Sequence, residues 1–467
     1  MPALLIDFDQ QRLAAFSLSS QFYAVLHLDV KIFISHNKCA VLQSTVSAGI
    51  IGMSKKQLVS SVRELIEATS NPVMQTIVVS GDLSDVPTIR LMPGTTLLGQ
   101  ARDRPALRFA AGADGICLST NNTVMDVDLI AADDRCAIWN DESVSSFGTL
   151  TLHRLNTTGR VRILARGNIR SGHVVVDGLD IVSADARGEK NRPHEYGVDV
   201  LHGAFTLWNM QTDPAVVITA DLVDLSAGHL GAPVLGSGIF VSGAGETGGR
   251  LEIQHLRTGA VYSDGRIEPG TPGLISGGVF VVYGARVDLV ESAGPVTTYG
   301  PNDMALDNWG VVDRWISRDK VTTFGPSGVG FVNFGTICRL QAEAPIETFG
   351  LGARGFNVYT GTVRNAEFDR IVTHADGAVG VQISQPVGTL VFRRGIETYG
   401  AMGDSLVKGA VMKLAATALS IKTGGSVESI RIQGGLRTHG QGVLPLEQDG
   451  AIASLHIEGG FSSAQPA

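Results

Sequence analysis

Residues 302–319, NDMALDNWGVVDRWISRD, concentrate the chemistry of this chain. Asp303, Asp307, Asp313 and Asp319 stand there with Arg314, Arg318, Trp309 and Trp315. Two carboxylates beside a scissile glycosidic bond act as general acid and base, or as acid and nucleophile, and their separation sets the stereochemical outcome. Asp303 and Asp307 are the first such pair. On a fully extended strand they would lie roughly 13 Å apart. That is too far unless a turn at Pro301-Asn302-Asp303 intervenes or a partner comes from another part of the chain. Asp313 is a further acid, and Arg314 would hold an anionic group or orient a carboxylate. A solvated charge cluster with an Arg314–Asp pair accounts for the same residues without catalysis.

A second candidate is DARGEKNRPHEYGVDVLHG, residues 185–203. Its polar first part reads as an insertion, and insertions on rigid scaffolds often carry function. It would bring Arg187, Arg192, His194 and Glu195 over a strand face bearing Asp199 and His202, both candidate catalytic groups; the alternative is a solvated loop. A third insertion, VYSDGRIEPGTPG at 261–273, carries Asp264, Arg266 and Glu268 and would either wall a groove or only join two elements. Sharper signatures are absent: there is no GxSxG, HExxH or GxxxxGK[ST]. GAGETGG at 243–249 lies between strands rather than before a helix, which argues against nucleotide binding.

The elements that must position these residues show in a repeat. Thr298, Thr323, Thr348, Thr373 and Thr398 recur every 25 residues, each followed by aromatic-Gly or His-Ala. Looser copies at Thr258 and Thr438 flank them at 40 residues, as if each adjoining turn carried a 15-residue insertion. Each copy holds three short apolar segments separated by turns. That spacing predicts a coil that cannot bury its apolar side alone and must stack on the next. Eight residues after each Thr stand Leu306, Phe331, Phe356, Val381 and Leu406, a column predicted to be core. Alternation then turns two further columns outward. One reads Asp307, Val332, Asn357, Gln382 and Val407; the other Trp309, Phe334, Tyr359, Ser384 and Gly409. Aromatic faces beside amides and carboxylates suit a sugar-binding groove floor. The candidate substrate-binding set is therefore Trp309, Trp315, Arg314, Phe334, Asn357, Tyr359, Gln382 and Tyr283. The alternative is that the rings stack inside the coil or beneath a loop.

With its opening TIRLMPGTTLLGQ and GICLSTNNTVMDVDL, and an amphipathic segment before them, the chain resembles the right-handed parallel β-helix of the pectate-lyase-like superfamily over about Thr88 to Phe461. The resemblance implies an all-β, right-handed, single-stranded parallel β-helix of 25-residue coils with a short N-terminal capping helix. Residues 1–52 read as a non-repeat segment, with Met53 a candidate natural start. Residues 53–87 read as the cap, with a helix at 54–69 begun by Ser54 and ended by Asn71-Pro72. The β-helix spans 88–461 and a loose tail 462–467. No enzyme motif of the superfamily is matched: paired Asp with Gly-His-Gly is missing, and so are the Arg and Ca²⁺-carboxylate patterns. The resemblance thus implies a fold and no particular reaction.

Composition narrows the rest. With 57 glycines and 6% aromatics, turns should outnumber helices. A net charge of −8 argues against a nucleic-acid groove. Cys39, Cys117, Cys136 and Cys338 form no CxxC pair and read as free thiols. No apolar run is long enough to span a membrane, and Asp7 and Asp9 stand where an export signal would be basic and then apolar. The expectations are a cytoplasmic carbohydrate-processing enzyme (glycoside hydrolase, lyase or intramolecular glycosyl transferase) acting on a glycan, with no cofactor. Ca²⁺ has no motif to support it, and no nucleic-acid or membrane partner is expected. The rival expectation is a non-catalytic structural or glycan-binding rod, in either case able to form a homo-oligomer such as a trimer.

Overall fold

The computed structural model describes residues 55–100, 104–407 and 409–463. The expectations for residues 1–52, for a start at Met53, for Cys39 and for the last four residues of the tail lie outside them. The described residues are almost wholly β, with one α-helix among them, Val62–Thr69. Ser61 rather than Ser54 caps it: Ser61 Oγ accepts from Glu64 N at 3.3 Å, and Glu64 reaches back to Ser60 N at 2.7 Å. The preceding Lys56–Val59 is a strand, paired in parallel with Thr76–Val79. Pairing overrides the helical spacing of Leu58 and Val59 there, and Leu58 and Ile66 face solvent.

Two long parallel sheets, of 27 and 15 strands, carry the chain. The apolar segments of one repeat divide between them. Asp303–Asn308 belongs to the 15-stranded sheet, Val311–Ser317 and Val321–Thr323 to the 27-stranded one. Each pairs in parallel with its own counterpart one repeat on: Leu306 with Phe331, Val312 with Ile337, Val321 with Ile346. The pairing is solenoid-like: each repeat satisfies backbone donors and acceptors of the next. Two antiparallel ribbons depart from it: His194–Glu195 with Val198–Val200, and Met402–Val407 with Ala410–Ala415.

The core columns follow the repeat. Phe205, Ile239, Val279, Leu306, Phe331, Phe356, Val381 and Leu419 pair in sequence and are all buried. Leu419 takes the place that even spacing assigns to Leu406, because the Met402–Ala415 ribbon intervenes and carries Leu406, Val407 and Gly409 out of register. The insertion expected before Thr438 is therefore present, and Thr438 pairs with Thr398. At the other end the column continues through Ser263, paired with Thr298, while Thr258 pairs with Ser292. A Ser in the Thr position hid that register from the sequence.

The Thr–aromatic–Gly corner has a packing cause. The threonines are buried, and the next side chains, Tyr299, Phe324, Phe349, His374, Tyr399 and His439, stack face to face at 4.4–5.5 Å along the outside of the corner. The glycine lets successive backbones close up: a Cβ on Gly350 would lie 1.8 Å from Gly325 O.

Candidate functional site

Three insertions converge over one patch on the outer face of the 15-stranded sheet. They enclose a cavity of about 570 Å³. The 185–202 segment contributes Tyr196 and Val198, the connection before strand Leu274–Val281 contributes Pro272 and Gly273, and the Met402–Ala415 ribbon contributes Leu406 and Gly409. Each insertion is tied to the sheet. Val200 pairs with Ile275. Ser405 Oγ donates to Gly352 O at 2.8 Å, and Ser327 Oγ accepts from Leu406 N at 3.2 Å. Asn302 Nδ2 donates to Thr271 O at 3.0 Å.

Tyr196 and Gly197 form the two-residue tip of the His194–Val200 ribbon, with φ of 53° and 81°. Such a tip suits Asn-Gly, and a tyrosine in the left-handed region costs on the order of 1–2 kcal/mol. Its ring offsets that cost by stacking on Phe334 at 4.8 Å and meeting Trp309 edge-on at 5.2 Å. Phe334 in turn stacks on Tyr359 at 5.3 Å. Phe334 and Tyr359 line the cavity, and Trp309 lies buried beneath Tyr196 and Tyr283.

Arg354 lies in the cavity floor and is only 2% exposed. Simple alternation from core Phe356 would turn it inward. The residue between them prevents this: Gly355 also faces the core, where a Cβ would come 2.2 Å from Ile371 Cγ2. Two consecutive inward positions leave Arg354 on the outer face, in a column with Met304 and Val329. One guanidinium nitrogen donates to Gly352 O at 3.2 Å; among the described residues Nε and Nη2 have no partner. Burial pushes the guanidinium below its usual range.

The neighbouring outer column runs Phe240, Phe280, Asp307, Val332, Asn357, Gln382, Ser420 and Glu447. Val332 lines the cavity. Asp307 and Asn357 flank it on either side, fully buried, and among the described residues none of their side-chain oxygens or nitrogens has a partner. Burial pushes the Asp307 carboxyl well above the carboxylate range. The nearby Trp309 indole tempers that shift, yet neither group completes a hydrogen bond. Burial also raises the Tyr196 phenol, with Glu246, Glu195 and Asp307 adding to it.

No protein-family model matches the chain, and neither the curated proteins nor the solved structures give a match. The geometry stands by itself.

The residues singled out in the sequence divide by place. Phe334 and Tyr359 line the cavity; Asp307, Asn357 and Trp309 lie in its floor layer, with Gln382 buried one repeat beyond Asn357. Asp303 shares a strand with Asp307 but faces a turn, accepting from Ser276 Oγ and Gly300 N at 2.7 Å and from Gly265 N at 3.3 Å. Asp313 and Arg314 are exposed on the 27-stranded sheet, and Trp315 beside them is in the core, 4.9 Å from Phe331. Two consecutive outward residues, Asp313 and Arg314, break the alternation after buried Val312 and return Trp315 to the core, so its indole is a packing group rather than a sugar platform. Asp199 meets His194 Nδ1 at 2.6 Å within the ribbon. His202 is buried over Phe240, hydrogen-bonded to Asn191 O. Tyr283 packs 5.9 Å from Trp309. The five acid–base candidates therefore do not converge. Among the described residues no cluster of three or more His, Cys, Asp or Glu has an arrangement for a metal ion, and no helix is long and apolar enough to cross a membrane.

Arg354 and Tyr196 were missed. Arg354 had a signal: it replaces an apolar residue in the column of Met304, Val329 and Val379. Tyr196 had a weaker one, an aromatic before glycine within a polar insertion.

Proposed function

We propose that the chain is a right-handed, single-stranded parallel β-helix whose function is to hold a small ligand in the cavity over Phe334, Tyr359 and Arg354. One observation carries the reading. Three insertions, far apart in sequence, meet over the same patch of sheet, and stacking of the repeats needs none of them. Pockets of about 300–1,000 Å³ with mostly apolar walls and a few placed polar groups are the usual form of ligand sites. The test is ligand-observed NMR of the full chain with a diverse fragment set, repeated with Leu406→Trp, which fills the cavity from the ribbon side. Binding to the parent that Leu406→Trp removes supports the reading. A fragment set that finds no such binder overturns it.

A second reading is the carbohydrate-processing enzyme expected from the sequence. What favours it is Asp307, a carboxyl buried in the floor layer without a partner among the described residues, where burial favours the protonated form that could give a proton. Against it, glycosidases use two carboxylates, and among the described residues the cavity wall presents none. Turnover of a glycan panel, abolished in Asp307→Asn, would decide for this reading.

A further inference from the structure

We propose that the cavity selects a small organic monoanion with an apolar body, its carboxylate or sulfonate received by Arg354. This rests on the ligand-binding reading above and adds the ligand's charge and polarity.

Arg354 is the starting point. A guanidinium does not lose its proton in a protein, so burial leaves a full positive charge to be compensated. Among the described residues that compensation is missing. Among these residues its one hydrogen-bond partner is the Gly352 carbonyl, and Nε and Nη2 have none. Desolvation is the chief influence on its pKa, with only the Tyr359 phenol opposing it. An uncompensated buried charge is among the costliest features a fold can keep. Neighbouring repeats avoid it with Met304, Val329 and Val379 in the same column. The free pair of N–H groups is the fork that receives two oxygens of a carboxylate or sulfonate side by side.

The rest of the wall sets the body of the ligand. Val198, Leu274, Ile275, Met304, Val332 and Leu406 present hydrocarbon, and Phe334 and Tyr359 add ring area. Ser327, Asn302 and Thr360 on the wall already hold protein partners, Leu406 N, Thr271 O and Phe334 O, which leaves the Tyr196 and Tyr359 hydroxyls as its other polar side-chain groups. A polyhydroxylated ligand would lose its water here for few hydrogen bonds. A dianion would bring a second negative charge, and among the described residues the wall offers no second cation to meet it. One anionic head and an apolar remainder match the cavity.

The experiment is calorimetric titration of the full chain with 4-phenylbutyrate and octanoate, each beside its neutral alcohol, 4-phenylbutanol and octanol. Parent, Arg354→Met and Leu406→Trp are compared. Arg354→Met installs the residue that the fold already carries at Met304, so the variant is expected to fold; thermal melting checks this. The expected result is carboxylates binding at least tenfold tighter than the alcohols. Arg354→Met should erase that preference while alcohol binding is unchanged, and Leu406→Trp should weaken both. Equal binding of acid and alcohol by the parent, or a preference that survives in Arg354→Met, overturns the proposal and leaves the cavity reading standing. Binding insensitive to Leu406→Trp overturns both.

Discussion

Asp303 and Asp307 lie on one strand, both fully buried, and the fold treats them oppositely: three donors converge on Asp303 and none on Asp307. Asp303 staples a turn. Burial raises its carboxyl to about 7, while Ser276, Gly265 and Gly300 pull it down. Asp303→Ala leaves those buried donors without an acceptor and should destabilise the chain by about 2–4 kcal/mol. Asp307→Leu removes an unpaired buried acid at similar volume and should leave stability unchanged or raise it by about 1–3 kcal/mol. Guanidinium unfolding at pH 7 measures both. A loss in Asp307→Leu as large as that in Asp303→Ala would mean that Asp307 is a structural acceptor.

His202 makes the 185–202 insertion acid-labile. Burial between Trp208 and Phe240 lowers its pKa from 6.5 to about 4, with Glu189 and the Asn191 carbonyl opposing and Arg162 and Arg160 assisting. The unfolded chain takes up a proton near 6.5 and the folded chain only near 4. The stability from neutral His202 is thus present above pH 6.5 and lost as pH falls towards 4, by up to about 3 kcal/mol. His202→Phe keeps a ring between the same neighbours and should flatten that decline relative to the parent. Unfolding midpoints at pH 7.5, 5.5 and 4.5 compare the two slopes; parallel slopes would exclude His202 as the acid-sensitive group.

The outer aromatic stack should behave as a chain of nearest neighbours. Phe349 contacts rings on both sides, Phe324 at 5.1 Å and His374 at 4.4 Å, whereas Tyr299 meets only Phe324, at 5.5 Å. Each ring pair contributes about 0.5–1.5 kcal/mol beyond burial. Phe349→Leu should therefore cost about twice what Tyr299→Leu costs, read from the shift in thermal midpoint. Because the faces are occupied by one another, only ring edges reach solvent. The stack is a structural ladder, and equal costs at the two positions would contradict that.

How much of this was legible follows from what repeats and what does not. The 25-residue spacing of Thr298 to Thr398 predicts parallel stacking because every repeat solves the same burial problem with the same residue types. Phe331 over Leu306, or Ile346 over Val321, needs no tertiary context. The site is built from exceptions. Arg354 faces out only because Gly355 turns in, a bulge that strict alternation does not foresee. Tyr196 reaches Phe334 from a ribbon about 140 residues earlier in the chain, a distance no local pattern spans. Trp309 and Trp315 show the same limit. Both stand in residues 302–319, yet one lies in the cavity's floor layer and the other in the core, because Val311–Ser317 belongs to a different sheet.

The Met402–Ala415 ribbon offers the sharpest separation of scaffold from site. Between Thr373 and Val381 the chain takes eight residues from corner to core, and between Thr398 and its counterpart Leu419 it takes 21. Replacing Met402–Ala415 by one glycine restores the eight-residue step. The repeats on either side already pair across the ribbon, Val381 with Leu419 and Thr398 with Thr438. Little of the ribbon's apolar surface is in the core, since Val411 and Met412 are exposed. The shortened chain should therefore keep its far-ultraviolet spectrum and melt within a few degrees of the parent. The cavity, however, loses the wall supplied by Leu406 and Gly409. Ligands found with the parent should bind at least tenfold more weakly. Collapse of the fold would show that the ribbon is part of the scaffold, and undiminished binding that the ligand sits elsewhere.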